Sequence, residues 1–176
     1  MGWKAVRDHY RIKHDVQVVE GKGICIGSPY VHDIIVISLD RGEITRVWND
    51  DGRGELGRYV EEMRADPFKL AELVAAEDTF ERSISVFTYE GGAIIEKQCE
   101  ELGWPNVTHD GCMQFENTYS PDPGLVRIWA IDNAKAAIEG MRESVAEAVA
   151  DLDAKRARLD RKWKDLLQLE AMEKPS

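Results

Sequence analysis

The sequence predicts an α+β fold: a mostly antiparallel sheet with two short inserted helices and a long C-terminal coiled-coil helix. Three observations predict it. β-branched runs separated by turn residues fill the first 48 residues, the apolar period becomes helical after Glu55, and a seven-residue repeat runs unbroken from Ile131 to Leu166. This divides the chain into a globular domain over 1–119 and a long dimerising helix over 120–174.

The strand runs are Val16 to Val19, Ile24 to Ile26, Ile34 to Leu39 and Ile44 to Trp48. Glu20-Gly21-Lys22-Gly23 and Asp40-Arg41-Gly42 read as hairpin connections, so a meander is the simplest pairing. Leu56, Tyr59, Val60 and Met63 then mark one helical face. Asp66-Pro67 stops that helix and starts a second, which carries Leu70, Leu73 and Val74. Ile84 to Tyr89 and Ala93 to Lys97 flank Glu90-Gly91-Gly92 as another hairpin, and Cys112 to Thr118 offers a further strand.

The last third is helical. Its start lies at Ser120-Pro121-Asp122, with Asn133 as the alternative cap. Ile131, Ile138, Val145, Leu152, Leu159 and Leu166 recur every seven residues. Ala134, Met141, Ala148 and Leu169 take the companion position, where Lys155 and Lys162 interrupt. A small sheet cannot cover such a stripe along its whole course, so part of it must meet another helix. Residues 132–153 hold six acids and two bases, whereas 155–164 hold six bases and Asp160 alone. An antiparallel homodimer crossing near Leu152 sets acidic half on basic half, with Ile138, Met141, Val145, Leu152, Leu159 and Leu166 in the interface.

The 176 residues are 43% apolar and 32% charged, the composition of a folded soluble chain that can bury a core without disulfides. Cys25, Cys99 and Cys112 form no CxxC pair and leave an odd thiol, which points to a reducing, cytoplasmic compartment. No apolar run approaches the roughly 18 residues of a membrane span. The opening MGWKAVRDHYRIKH lacks a signal-peptide core, and Val6 stands where a myristoylation signal wants Ser or Thr.

A net charge of −10 argues against general affinity for nucleic acid or anionic membrane. The imbalance is local: ten acids face four bases between Asp50 and Glu81. Asp50, Asp51, Glu61 and Glu62 are the candidate contacts for a host protein with a basic surface, although such a stretch is most often a solvated helical face. The basic run from Lys155 to Lys164 is a candidate phosphate-binding stripe, but its interleaved acid and the seam beneath it favour a dimer-facing role.

Four His-Asp neighbours, Asp8-His9, His14-Asp15, His32-Asp33 and His109-Asp110, have the residue types of a metal-dependent phosphohydrolase. Adjacent residues of a strand point to opposite faces, so turn or surface hydrogen bonding is the better reading, and no metal or other cofactor is expected. Cys112 with His109, and Asp110 or Asn117 to orient the ring, would make a thiol nucleophile, yet free cysteines are mostly buried apolar residues. The run from Gly21 to Ser28 lacks the Gly-Lys-Ser/Thr of a phosphate loop, and the acceptor Asn106-Val107-Thr108 has no meaning without secretion. The loop from Gly103 to Gly111 leaves two readings open. Either Trp104 plugs the core, or the loop exposes Trp104 to a partner.

The stretches GKGICIGSPYVHDIIVISL and CEELGWPNVTHDG, with the later ENT, resemble uncharacterised small accessory proteins of tailed bacteriophages and prophages. The resemblance carries no catalytic residue. It implies a class in which small acidic proteins often bind and disable host defence machinery, placing the chain in the host cytoplasm. The expected function is therefore a non-enzymatic protein-binding module, an inhibitor acting through an acidic surface as a homodimer. A metal-dependent hydrolase and a nucleic-acid-associated regulator are the alternatives.

Overall fold

The computed structural model describes residues 1–28, 30–48 and 54–172. The fold is α+β, and the chain divides into two compact units, Met1–Trp129 and Ala130–Ser176. The first unit opens with α1 (Trp3–His9), followed by a meander of β1 (Asp15–Val19), β2 (Gly23–Gly27), β3 (Ile35–Ile37) and β4 (Ile44–Val47). All neighbouring strands are antiparallel. Helices α2 (Gly54–Ala65) and α3 (Pro67–Ala75) come next, then the hairpin of β5 (Ile84–Glu90) and β6 (Ala93–Cys99). The short pair β7 (Asn106–Val107) and β8 (Met113–Gln114) precedes α4 (Pro123–Met172).

One face of the meander packs against three helices. Ile24, Ile26, Ile35 and Ile37 alternate along the two central strands and meet Val6 of α1, Tyr59, Val60 and Met63 of α2, and Leu70 and Val74 of α3. The expected β-branched runs and helical stripes thus close on a single core. Asp66 caps α3 by accepting from the Lys69 N–H at 2.9 Å, with Pro67 at the first helical position. On the opposite face Cys25 lies beside Val36, and both are buried. Asp33 takes Lys22 at 2.8 Å and Arg46 at 2.9 Å nearby. Burial pushes the Cys25 thiol up from its ordinary range.

Two features differ from the sequence reading, and the start of the last helix falls where that reading first placed it. Helix α1 lies where strands alone were expected: Trp3, Val6 and Tyr10 share a helical face and are buried, and the Gly2 N–H donates to the Val74 carbonyl at 3.1 Å. The strand expected over Cys112 to Thr118 shrinks to Met113–Gln114, because its partner β7 is only two residues long. Helix α4 begins at Pro123, where the Asp122 carboxylate accepts the Gly124 N–H at 2.8 Å, and it runs through Asn133 without a break.

Two glycines are dictated by space. Gly42 sits at φ +62° in the β3–β4 turn, where a Cβ would lie 2.4 Å from the Ala71 Cα. Gly111 sits at φ +85°, where a Cβ would lie 2.3 Å from the Val18 side chain. Its carbonyl accepts the Val18 N–H at 2.8 Å, which ties the 103–111 loop to the edge of the meander.

Candidate functional site

At 1.5 Å per residue, the fifty residues of α4 extend for about 75 Å. Val126 near its start is buried, and no other α4 side chain is. The seam residues Ile138, Met141, Val145, Leu152, Leu159 and Leu166 lie together along one side, each between 42% and 64% exposed. Val149 and Trp163, also exposed, stand four residues beyond Val145 and Leu159 and widen that row. The seven-residue repeat alone does not count these two; the i, i+4 spacing would have found them.

Charges flank the row. Lys155 pairs with Asp151 at 2.7 Å, Lys162 with Asp165 at 3.5 Å, and Arg142 with Glu139 at 3.7 Å. Both lysines that interrupt the companion position therefore already lean on an acid of their own helix. Arg158, Arg161, Lys162 and Lys164 rim a shallow depression with Asp165 and Gln168, the most basic surface of the helix.

Two of the four acidic candidates fall within the described residues. Asp50 and Asp51 lie outside the described residues. Glu61 is exposed on α2, whereas Glu62 is half-buried and accepts from the Arg58 guanidinium at 2.8 Å, so part of its charge is compensated. A mixed-charge cleft that the sequence did not signal forms where Lys4 of α1 reaches Glu100 at 2.7 Å and the Thr79 carbonyl at 2.8 Å. Asp8, Glu81 and Arg82 also line it.

In the 103–111 loop Trp104 is 53% exposed, so it does not plug the core. The buried indole is Trp3, whose Nε1–H donates to the His109 carbonyl at 3.0 Å. The His109 ring stacks on Phe80, with centroids 3.7 Å apart, and its Nε2 lies 3.0 Å from the Arg82 carbonyl. The charged neighbour of the Cys112 sulfur is instead Lys97, whose Nζ lies 2.9 Å from Sγ and 2.7 Å from the Asp110 carboxylate. Burial works against the Lys97 charge, but the bonds to Asp110 and Cys112 outweigh it and hold the ammonium above the ordinary lysine range. Burial likewise opposes the Asp110 charge, yet Lys97 and the Thr108 hydroxyl hold the carboxyl below its usual range. The thiol-imidazole pairing weighed from sequence is thus replaced by an ion pair that fastens β6 to the loop. Lys97 is 15 residues from Cys112, beyond the reach of any local sequence pattern.

The four His-Asp neighbours do not build a shared centre. Asp8 pairs with Arg7, Asp33 with Lys22 and Arg46, and Asp110 with Lys97. His14 lies 3.4 Å from the Tyr59 hydroxyl. Among the described residues no group of three or more His, Cys, Asp or Glu side chains could hold a metal ion. No described helix is long and apolar enough to cross a membrane. No family model, curated protein or solved structure matches the chain.

Proposed function

We propose that the protein is a non-enzymatic protein-binding module that associates through the apolar row of α4 and engages a basic protein through its acidic surface, as a phage-type inhibitor of a host defence protein would. The exposed row carries this reading. Each Ile, Leu or Val withheld from water is worth about 1.5–3 kcal/mol on full burial, so a row sustained from Ile138 to Leu166 represents a large association free energy unused by the single chain. The resemblance to phage accessory proteins and the exposed Glu61 support the inhibitor form.

The test is the replacement of Leu152 and Leu159 by Asp. Two unpartnered carboxylates in the row should remove association, a loss of several kcal/mol, while circular dichroism of the globular unit stays unchanged. Wild-type light scattering at the 19.9 kDa of one chain, with no partner helix bound, would refute association through α4. A second reading, a nucleic-acid-associated regulator, draws on the basic rim of Arg158, Arg161, Lys162 and Lys164. Salt-sensitive retention of DNA or RNA, lost when these four become Glu, would favour it.

A further inference from the structure

We infer that the partner of the α4 row is a second copy of the same chain, docked antiparallel in one register, with Leu152 facing Lys155 of the second copy about the two-fold axis. This rests on the α4 association proposed above and names its partner and geometry.

With Ile131, Ile138, Val145, Leu152, Leu159 and Leu166 taken as position a of the heptad, the companion position d holds Met141, Ala148, Lys155, Lys162 and Leu169. A parallel in-register pair stacks each d residue on its own copy. Lys155 would then meet Lys155, and Lys162 would meet Lys162, two like-charge layers inside the seam. An antiparallel pair places a against d, so each lysine lies across from an apolar side chain. Its stem covers Leu152 or Val145, and its ammonium keeps the carboxylate it already holds, Asp151 at 2.7 Å for Lys155 and Asp165 at 3.5 Å for Lys162.

The flanking charges choose among antiparallel registers. In the proposed one Ile138 meets Leu169, Met141 meets Leu166 and Ala148 meets Leu159. At the margins Asp151 then falls beside Arg158, Lys135 beside Glu170, and Arg142 beside the Trp163 ring. These contacts each occur twice by symmetry. A slip of one heptad in either direction destroys them. One slip sets Asp151 against Asp151 and Arg142 against Arg156; the other sets Arg158 against Arg158 and Asp151 against Asp165.

Cysteine cross-linking of the full chain carrying Cys112→Ser tests it, since Cys25 and Cys99 are buried. Met141→Cys and Leu166→Cys, oxidised separately, should each remain uncross-linked, because each residue lies about 38 Å from its own copy in this geometry. Their equilibrated mixture should yield the covalent dimer, and a mixture of Met141→Cys with Leu159→Cys should not. Cross-linking of either variant with itself would overturn the antiparallel order, and preference for the Leu159→Cys mixture would overturn the register. Both outcomes would leave association through α4 standing. A monomeric wild type, or one that pairs only with a different helix, would overturn the second copy. Asp151→Lys should weaken the dimer about tenfold, with Asp151→Lys/Arg158→Asp restoring it. Failure of that rescue would also overturn the register.

Discussion

The central strand β2 and the middle of α4 are made from the same kind of residue and end in opposite environments. Ile24 has no exposed surface, whereas Ile138 keeps 50% of its own. In β2 every position is buried, because a core of three helices covers one face and the neighbouring strands occupy both edges. Along α4 the apolar row lies on a helix whose backbone hydrogen bonds are satisfied internally, and its side chains stay exposed. Identical hydrophobic chemistry thus builds a core in one region and leaves an open apolar face in the other. What distinguishes them is whether the chain itself supplies the second face.

Paired truncations put this contrast at risk. Ile26→Ala removes buried methylenes from a packed core and should cost about 2–5 kcal/mol of folding stability, read as a lower midpoint in denaturant. Leu152→Ala should leave the midpoint of the globular unit where it was and act only on association. An equal loss from both would show that α4 belongs to the same cooperative core. A smaller effect, about 1–3 kcal/mol, is expected from Gly42→Ala, where a left-handed turn residue meets the Ala71 backbone. A neutral result there would mean that the turn and α3 are less closely apposed than the structure has them, and that the sharp boundary between core and surface is softer.

The smallest effect sharpens the comparison by charge. Lys97 holds the Asp110 carboxyl below its usual range against burial, and Lys4 does the same for Glu100. A carboxyl with a lowered folded value stabilises fully above its unfolded value and loses that contribution as pH falls through the folded one. The unfolding temperature of the globular unit should therefore be flat from about pH 7 to 5 and fall below about pH 4. Lys97→Met should flatten part of that fall. Asp110 is half exposed, so the share is less than about 1 kcal/mol. An unfolding temperature that rises on acidification would contradict the assignment.

Short-range patterns accounted for most of the architecture. The β-branched run from Val16 to Val19, the Asp66-Pro67 punctuation and the repeat from Ile131 each depend on neighbours a few residues apart, and each appears where the pattern places it. Helix α1 was legible in principle from the spacing of Trp3, Val6 and Tyr10, but its seven residues lie among charged ones that mask the period. The cluster of Lys97, Asp110 and Cys112 could not be read that way. It exists because Cys99 bridges to Thr108 and so brings β6 alongside the loop, a register set by the packing of the whole unit.

Trp104 and Trp3 show the same division. Both are tryptophans near glycines and charges in the sequence, yet one is buried under the loop that displays the other. Periodicity determines which face of an element is apolar, because the backbone geometry of a helix or strand is local. Whether that face is covered depends on the arrangement of distant elements, which only the folded chain decides. For α4, that leaves the row from Ile138 to Leu166 apolar by sequence and open by structure.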